Sequence, residues 1–243
     1  MGANTVTIMA EGIAPELARL TGGTVVMAIV SNLCSERTVV ASAEWSPATL
    51  EATAKGCGMT GDEVIEAILD ADAIGAADPR RAATHNKGVM NGVSALVSAI
   101  MGDTRAVEAA THAHAATDNT SPSGSYTTLT RYEKTPEGNL RGTIELPFPI
   151  QTIGGATHAP TAAFALAVLG LEESDDVAAG DRTRELACVM AAVGLAQNFA
   201  ALRAIVTGKA HTHTKRGCDC LPVCGRPYLF PWCPSLRDSF LSP

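Results

Sequence analysis

The sequence predicts an α+β fold. Three observations carry that assignment. Apolar residues recur at helical spacing through most of the chain. Short β-rich stretches fall in two separate pairs, and they do not alternate with single helices in the repeating βαβ order of a parallel sheet. The 243 residues are 46% hydrophobic with only 18% charged, enough for one large domain or two small ones around a sizeable core.

The elements follow in order. Asn4 to Leu20 is predicted helical, because Val6, Ile8, Met9, Ile13, Ala14, Leu17 and Leu20 approximate a helical stripe and Gly22-Gly23 stops it. Thr24 to Val30 is a β-rich run predicted to form a strand, and Thr38 to Trp45 is another, with Ser31 to Cys34 as the turn between them. Asp62 to Ile74 is a second helix with Val64, Ile65, Ile68 and Leu69 on one face, ended by Asp78-Pro79. Arg80 to Gly88 reads as a polar, glycine-punctuated turn before the apolar run Val89 to Met101, where Gly88 and Gly92 permit close backbone approach. Thr104 to Ala116 is an Ala-rich helix, and Asp118 to Ser125 a loop. Tyr126 to Tyr132 and Leu140 to Leu146 pair across Thr135 to Asn139. A Gly-rich bend at Ile153 to Thr157 precedes the helix Thr161 to Leu169, and Arg184 to Val206 is a long Ala-rich helix.

Charge and cysteine are unevenly spread. The formal charge is -7, but residues 1–206 hold 13 basic and 23 acidic side chains, and residues 207–243 hold 5 and 2. Four of seven cysteines (Cys218, Cys220, Cys224 and Cys233) sit in that last stretch, which is also rich in proline. Its aliphatics have no amphipathic period, so it reads as a disordered tail. Cys34, Cys57 and Cys188 are scattered, the usage of a reducing cytosol, so a cytoplasmic location is expected. An acidic chain with 4% aromatics is a poor nucleic-acid binder. No apolar stretch of about 18 residues lacks a polar break, and no signal peptide is visible, so neither nucleic acid nor membrane is expected as a partner.

Four segments have chemistry to offer. Met1-Gly2-Ala3-Asn4-Thr5 opens a helix, and a helix N-terminus offers backbone N–H groups to phosphate; an ordinary cap at Asn4 or Thr5 is the simpler account. Thr84 to Gly92 crowds donors and one strong cation, Lys87, next to an apolar run, and a lysine so placed can stabilise an oxyanion developing from a carbonyl. Asp103, sixteen residues on, can hold that lysine charged or cap the helix from Thr104; the two roles are compatible. His112 and His114, two apart on a helix, point to different faces and are ill placed to share a metal. The spacing Cys-x-Cys-x3-Cys-x8-Cys fits none of the usual structural zinc sites. No P-loop and no Gly-x-Ser-x-Gly elbow occurs.

Taken together these segments resemble one family. Met1-Gly2-Ala3-Asn4-Thr5-Val6 is similar to the latter part of the cofactor motif of 3-hydroxy-3-methylglutaryl-CoA (HMG-CoA) reductases. Arg81 to Gly88 resembles their catalytic lysine segment, and Gly102-Asp103-Thr104-Arg105-Ala106-Val107-Glu108 the segment with the catalytic aspartate. Gly154-Gly155-Ala156-Thr157 and Gly194-Leu195-Ala196-Gln197-Asn198 match two further signatures, and Thr84-His85-Asn86-Lys87-Gly88 has the class II form. The resemblance covers about residues 1–206. It implies reduction of HMG-CoA to mevalonate and CoA by NADH or NADPH, or the reverse, in a homodimer or higher homo-oligomer. By resemblance Lys87 polarises the thioester carbonyl and Asp103 tunes it. Gly2, Ala3, Asn4 and Asn32 belong to the cofactor side. Arg81, Asn91 and Gln197 belong to the substrate side. No metal is implied.

The resemblance also divides the chain. Residues 1–35 correspond to a remnant of a small NAD(P)-binding domain, 36–206 to a large, mostly helical HMG-CoA-binding domain, and 207–243 to nothing in the family. The family's catalytic glutamate precedes the matched stretch. Its C-terminal Gly-His-Met segment is not found after Val206, and His211 and His213 do not occupy that motif. The expectation is therefore an internal fragment with impaired activity. The alternative is a non-catalytic remnant that binds a CoA thioester or only dimerises.

Overall fold

The computed structural model describes residues 3–54, 56–117, 126–150, 159–171 and 179–208. Gly2, the loop 118–125, the bend 153–157 and the tail beyond residue 208 lie outside the described residues.

Seven helices and one three-stranded sheet are described: α1 (Ala3–Thr21), β1 (Thr38–Trp45), α2 (Pro47–Thr53), α3 (Gly61–Ala77), α4 (Pro79–Ala99), α5 (Thr104–Thr117), β2 (Thr130–Lys134), β3 (Leu140–Pro147), α6 (Pro160–Val168) and α7 (Ala179–Val206). The α+β class holds, but the strands make a single antiparallel sheet of order β1-β3-β2. β1 keeps its expected bounds and pairs with β3, Thr38 opposite Pro147 and Trp45 opposite Leu140. β2 meets β3 with Thr130 opposite Ile144.

Two expectations are corrected. Residues 24–30 form no strand: the run is irregular, Val26, Met27 and Ile29 are exposed, and the Val30 N–H donates to the Thr7 hydroxyl instead of to a neighbouring strand. β-propensity without a partner edge does not make a sheet. Residues 80–88 form no turn either. Asp78 ends α3 through its N–H to the Ile74 carbonyl, and its carboxylate then accepts from the Arg80 N–H, with Pro79 as the first residue of α4. Proline at that position starts a helix as well as ending one. α2, missed in the sequence, has only seven residues and one buried side chain, Leu50, too little for a period to register. Its Ser46 cap and Pro47 were the available signals. α3 begins with a full capping box, Thr60 and Glu63.

The core lies between the sheet and α7. Leu140, Ile144 and Leu146 of β3 point inward with Leu186, Met190, Leu195 and Leu202 of α7, all buried. Trp45 of β1 stacks on Phe199 of α7, ring centroids 3.9 Å apart. α7 is long and apolar enough to cross a bilayer by composition, yet its contacts with α4, β1 and β3 make it the central helix of this body. α4 crosses α7 where glycines face each other's helix. A Cβ on Gly92 would lie 2.9 Å from Val193 Cγ1, and one on Gly194 would lie 3.1 Å from Val89 Cγ1 and from Val93 Cγ2. Those glycines set the interhelical distance.

A polar network is buried at the same crossing. The Asn198 amide donates to the His85 carbonyl at 3.1 Å, and its oxygen accepts from Tyr132 at 3.0 Å and Thr130 at 3.3 Å. His85 Nε2 meets the Thr130 hydroxyl at 2.5 Å. The Tyr132 N–H donates to Asp72 at 3.1 Å. His85 Nδ1 and the other Asp72 oxygen have no partner among the described residues. Burial pushes the Asp72 carboxyl up to about 6 and, with Arg81 beside it, the His85 imidazole down to about 4.

Two outcomes are expected. Gly92→Val forces Val193 aside and lowers the unfolding free energy in urea by about 1–3 kcal/mol, whereas Ala95→Val on the exposed side of α4 changes it by under about 0.5 kcal/mol. The pH response is the second. Folded Asp72 binds a proton more tightly than the unfolded chain does, so its contribution falls as pH rises from about 4 to 6. Folded His85 binds one less tightly, so its contribution falls as pH drops from about 6.5 to 4. The slopes oppose each other. Asp72→Asn removes one, so its melting temperature, scanned from pH 7 to pH 4, falls more steeply than that of the unaltered chain.

Candidate active site

The exposed side of α4 carries the candidate chemistry. Pro79 to Ala99 turns its apolar stripe, Ala82, Val89, Met90, Val93 and Val97, into the core. The remaining side then presents Thr84, Lys87 and Asn91 outward, with Arg81 half-buried, while Gly88 faces α7, where a Cβ would lie 3.6 Å from the Asn198 amide nitrogen. A helix, rather than a loop, therefore sets the spacing of these groups, and residues four apart stand one above the other. Lys87 Nζ donates to Asn91 Oδ1 at 2.8 Å. That bond fixes the carboxamide so that the Asn91 N–H groups face outward beside the ammonium. The pair is a donor-only surface, suited to a carbonyl, alkoxide or carboxylate oxygen.

The flanks of this face are fixed by buried groups. Asn86, the residue before Lys87, is fully buried; its amide donates to the Thr127 carbonyl at 2.8 Å and its oxygen accepts from the Leu129 N–H at 2.9 Å. Gln197 lies on α7 against Gly92, where its Cβ is 3.2 Å from the position a Gly92 Cβ would take. Of the residues expected on the substrate side, Asn91 is bonded to the expected catalytic Lys87 and Gln197 stands across the α4–α7 crossing beside Gly92, while Arg81 lies six residues before Lys87 on α4.

The other expected residues are not drawn in. Asp103 begins α5, where its Oδ1 accepts from the Ala106 N–H at 3.0 Å. Among the described residues no ion pair joins it to Lys87. The helix-capping role is the one seen within a single chain. Ala3 and Asn4 sit in the first turn of α1, a helix with no buried residue, and Asn32 is exposed on the irregular segment after it.

These residues fit a dinucleotide only in part. The exposed start of α1 can offer N–H groups to a phosphate. The apolar cavity beside α1, about 330 Å³, lies at its other end between Ala14, Leu17 and Val25. Neither Ala3 nor Asn32 lines that cavity. A larger cavity of about 610 Å³ opens on the outer side of the sheet between His114, Arg131 and Glu145, and none of its lining residues belongs to α4.

Sequence reasoning passed over one cluster. Ser94, one turn beyond Asn91, donates to Glu108 Oε1 at 2.5 Å, Glu108 Oε2 is 3.1 Å from His112 Nε2, and His112 Nδ1 is 2.7 Å from the Tyr126 hydroxyl. The i, i+4 spacing of Glu108 and His112 was the available signal.

The chain is similar to known proteins over most of its length. The sequence model of the family described as Hydroxymethylglutaryl-coenzyme A reductase matches residues 1–217, eleven residues past the stretch expected to match. The 3-hydroxy-3-methylglutaryl-coenzyme A reductase of Archaeoglobus fulgidus is 46% identical over 208 residues, which are 85% of this chain and 42% of that protein. The probable reductase of Borreliella burgdorferi is 33% identical over 84% of this chain and 43% of its own length. The chain thus spans less than half the length of these curated relatives. Among solved structures, the Streptococcus pneumoniae reductase superposes with a TM-score of 0.72 at 37% identity, covering 84% of this chain and 51% of that one. The class II enzyme of the same organism, bound to NADPH in open conformations, superposes equally well at 38% identity. The family match extends over most of the sequence and includes the α4 segment with Lys87. The chain belongs to the hydroxymethylglutaryl-coenzyme A reductase family and is class II-like.

Proposed function

We propose that this chain is the HMG-CoA-handling portion of an NAD(P)H-dependent HMG-CoA reductase. The observation that carries the reading is the donor pair on α4, Lys87 held to Asn91 at 2.8 Å, in the segment that matches the family's catalytic lysine. The overall reaction takes HMG-CoA, two NAD(P)H and two protons to mevalonate, CoA and two NAD(P)+. Lys87 and the Asn91 amide donate to the thioester oxygen, and charge that grows there when the carbonyl is reduced meets a fixed cation. Arg81, six residues earlier on α4 and half-buried, supplies a second cation for the substrate carboxylate. Gln197 offers a hydrogen bond from the α7 side.

Asp103 enters through assembly. It does not reach Lys87 within one chain, so the carboxylate beside Lys87 comes from a second copy in the proposed homodimer. Exposed Met101, Phe164 and Val168 lie around α6 and the α4–α5 turn and supply apolar area for that contact.

Loss of one acid–base group typically costs about 100- to 10,000-fold. The purified chain is expected to bind HMG-CoA by calorimetry and to show no measurable NAD(P)H oxidation at ~340 nm, in the reduced nicotinamide band. Lys87→Ala should abolish binding of the thioester, and Asn91→Ala should weaken it by about tenfold. Turnover near that of a full-length relative, lost in Lys87→Ala, would show that this chain is complete for catalysis. Binding that is indifferent to Lys87→Ala would overturn the site.

A further inference from the structure

The chain Tyr126–His112–Glu108–Ser94 has a direction. Asn86 on α4 holds the residues that follow Tyr126, its amide donating to the Thr127 carbonyl at 2.8 Å and its oxygen accepting from the Leu129 N–H at 2.9 Å. The Glu108 carboxylate can only accept, so His112 donates to it from Nε2 and accepts on Nδ1 from the Tyr126 hydroxyl at 2.7 Å. A ring that accepts on Nδ1 carries its proton on Nε2, and it donates that proton to Glu108 Oε2 at 3.1 Å. The second Glu108 oxygen accepts from Ser94 at 2.5 Å. The path starts at Asn86 and ends at Ser94, both on α4, one on each side of the Lys87–Asn91 pair. Between them it passes through the segment after α5 and through α5 itself. It is a closed clamp: every hydrogen bond in it has one donor and one acceptor, and the peptide between Tyr126 and Thr127 joins its two ends.

We propose that this clamp is a positioning device for the reductase site: it fixes α5, and the Asp103 carboxylate at the start of α5, at a set angle to the α4 face that carries Lys87 and Asn91. The inference rests on the HMG-CoA reading for its consequence and on geometry alone for the clamp. His112 is its centre, because it alone converts a donated hydrogen bond into one passed onward. Glu108 is its anchor, because it is the one charged link and accepts from both sides. Neither touches the proposed substrate; both act through the helix they hold. The turn at the far end of the α4–α5 hairpin is already rigid, with Met101 at φ 53° and the Gly102 N–H bonded to the Val97 carbonyl at 2.8 Å. The clamp therefore controls the remaining freedom, the splay of α5 from α4.

The test separates hydrogen bonding from bulk. His112→Phe keeps a ring of similar size and has no donor or acceptor. His112→Gln supplies one of each, in the pattern that the imidazole uses. Both variants are made in the full chain, with far-ultraviolet circular dichroism to confirm equal helix content. Exchange of the Ala106 amide, which donates to Asp103, is followed by NMR, and HMG-CoA affinity by calorimetry. In His112→Phe the amide exchanges about tenfold faster and the affinity falls about tenfold; His112→Gln recovers most of both losses. Nitrogen-15 spectra of the unaltered chain show His112 protonated on Nε2. Equal exchange in His112→Phe and the unaltered chain overturns the clamp. So does equal loss in both variants, since packing alone would then be at work. If the unaltered chain binds no HMG-CoA, the function reading fails and the Ala106 exchange still decides the clamp.

Discussion

The close crossing of α4 and α7 is the constraint on which the rest depends. Gly92 and Gly194 remove the side chains that would hold the helices apart, and Asn198 uses the proximity to reach the His85 carbonyl at 3.1 Å. Its oxygen then gathers Tyr132 and Thr130 from β2. One buried carboxamide thus ties two helices to the sheet. Such a group is costly to bury unless each of its bonds is made, so it favours one relative placement of the three elements over near alternatives. The orientation of the outward side of α4 follows from that placement.

Much of this was legible in the sequence where period and punctuation agreed. β1 was read with its observed bounds, and α3, α5, α6 and α7 were placed to within a few residues at most of their ends. The failures have physical causes. Residues 24–30 have strand-forming side chains, but a strand needs a hydrogen-bonding neighbour, and pairing is a property of the whole fold. Residues 80–88 looked like a turn because glycine and polar groups cluster there. The glycines serve a helix crossing that depends on α7, more than a hundred residues away. Pairing β1 with β3 across a separation of about a hundred residues likewise leaves no local mark.

The site was legible by residue type more than by geometry. Lys87 and Asn91 are four apart, and once α4 is known to be helical their contact follows. Asp103 shows the opposite case: its expected partner in charge is absent from one chain, and its observed bond is to the backbone of its own helix. Glu108 was read only as the end of the aspartate segment, and His112 only as a poor metal ligand beside His114. What makes them more than that is Tyr126, which comes from outside their helix.

Because the candidate donors stand on an uninterrupted helix, the face is sensitive to chain length in a way that a loop is not. Each residue added or removed inside α4 advances everything after it by about 100° and 1.5 Å. A single deletion between Arg81 and Lys87 would leave both cations in the sequence and turn Lys87 and Asn91 by about 100° relative to the part of the helix before them. Among descendants of this chain, length changes should therefore be rare from Pro79 to Asn91. They should be tolerated in the irregular stretch between α1 and β1, where no helical phase has to be kept.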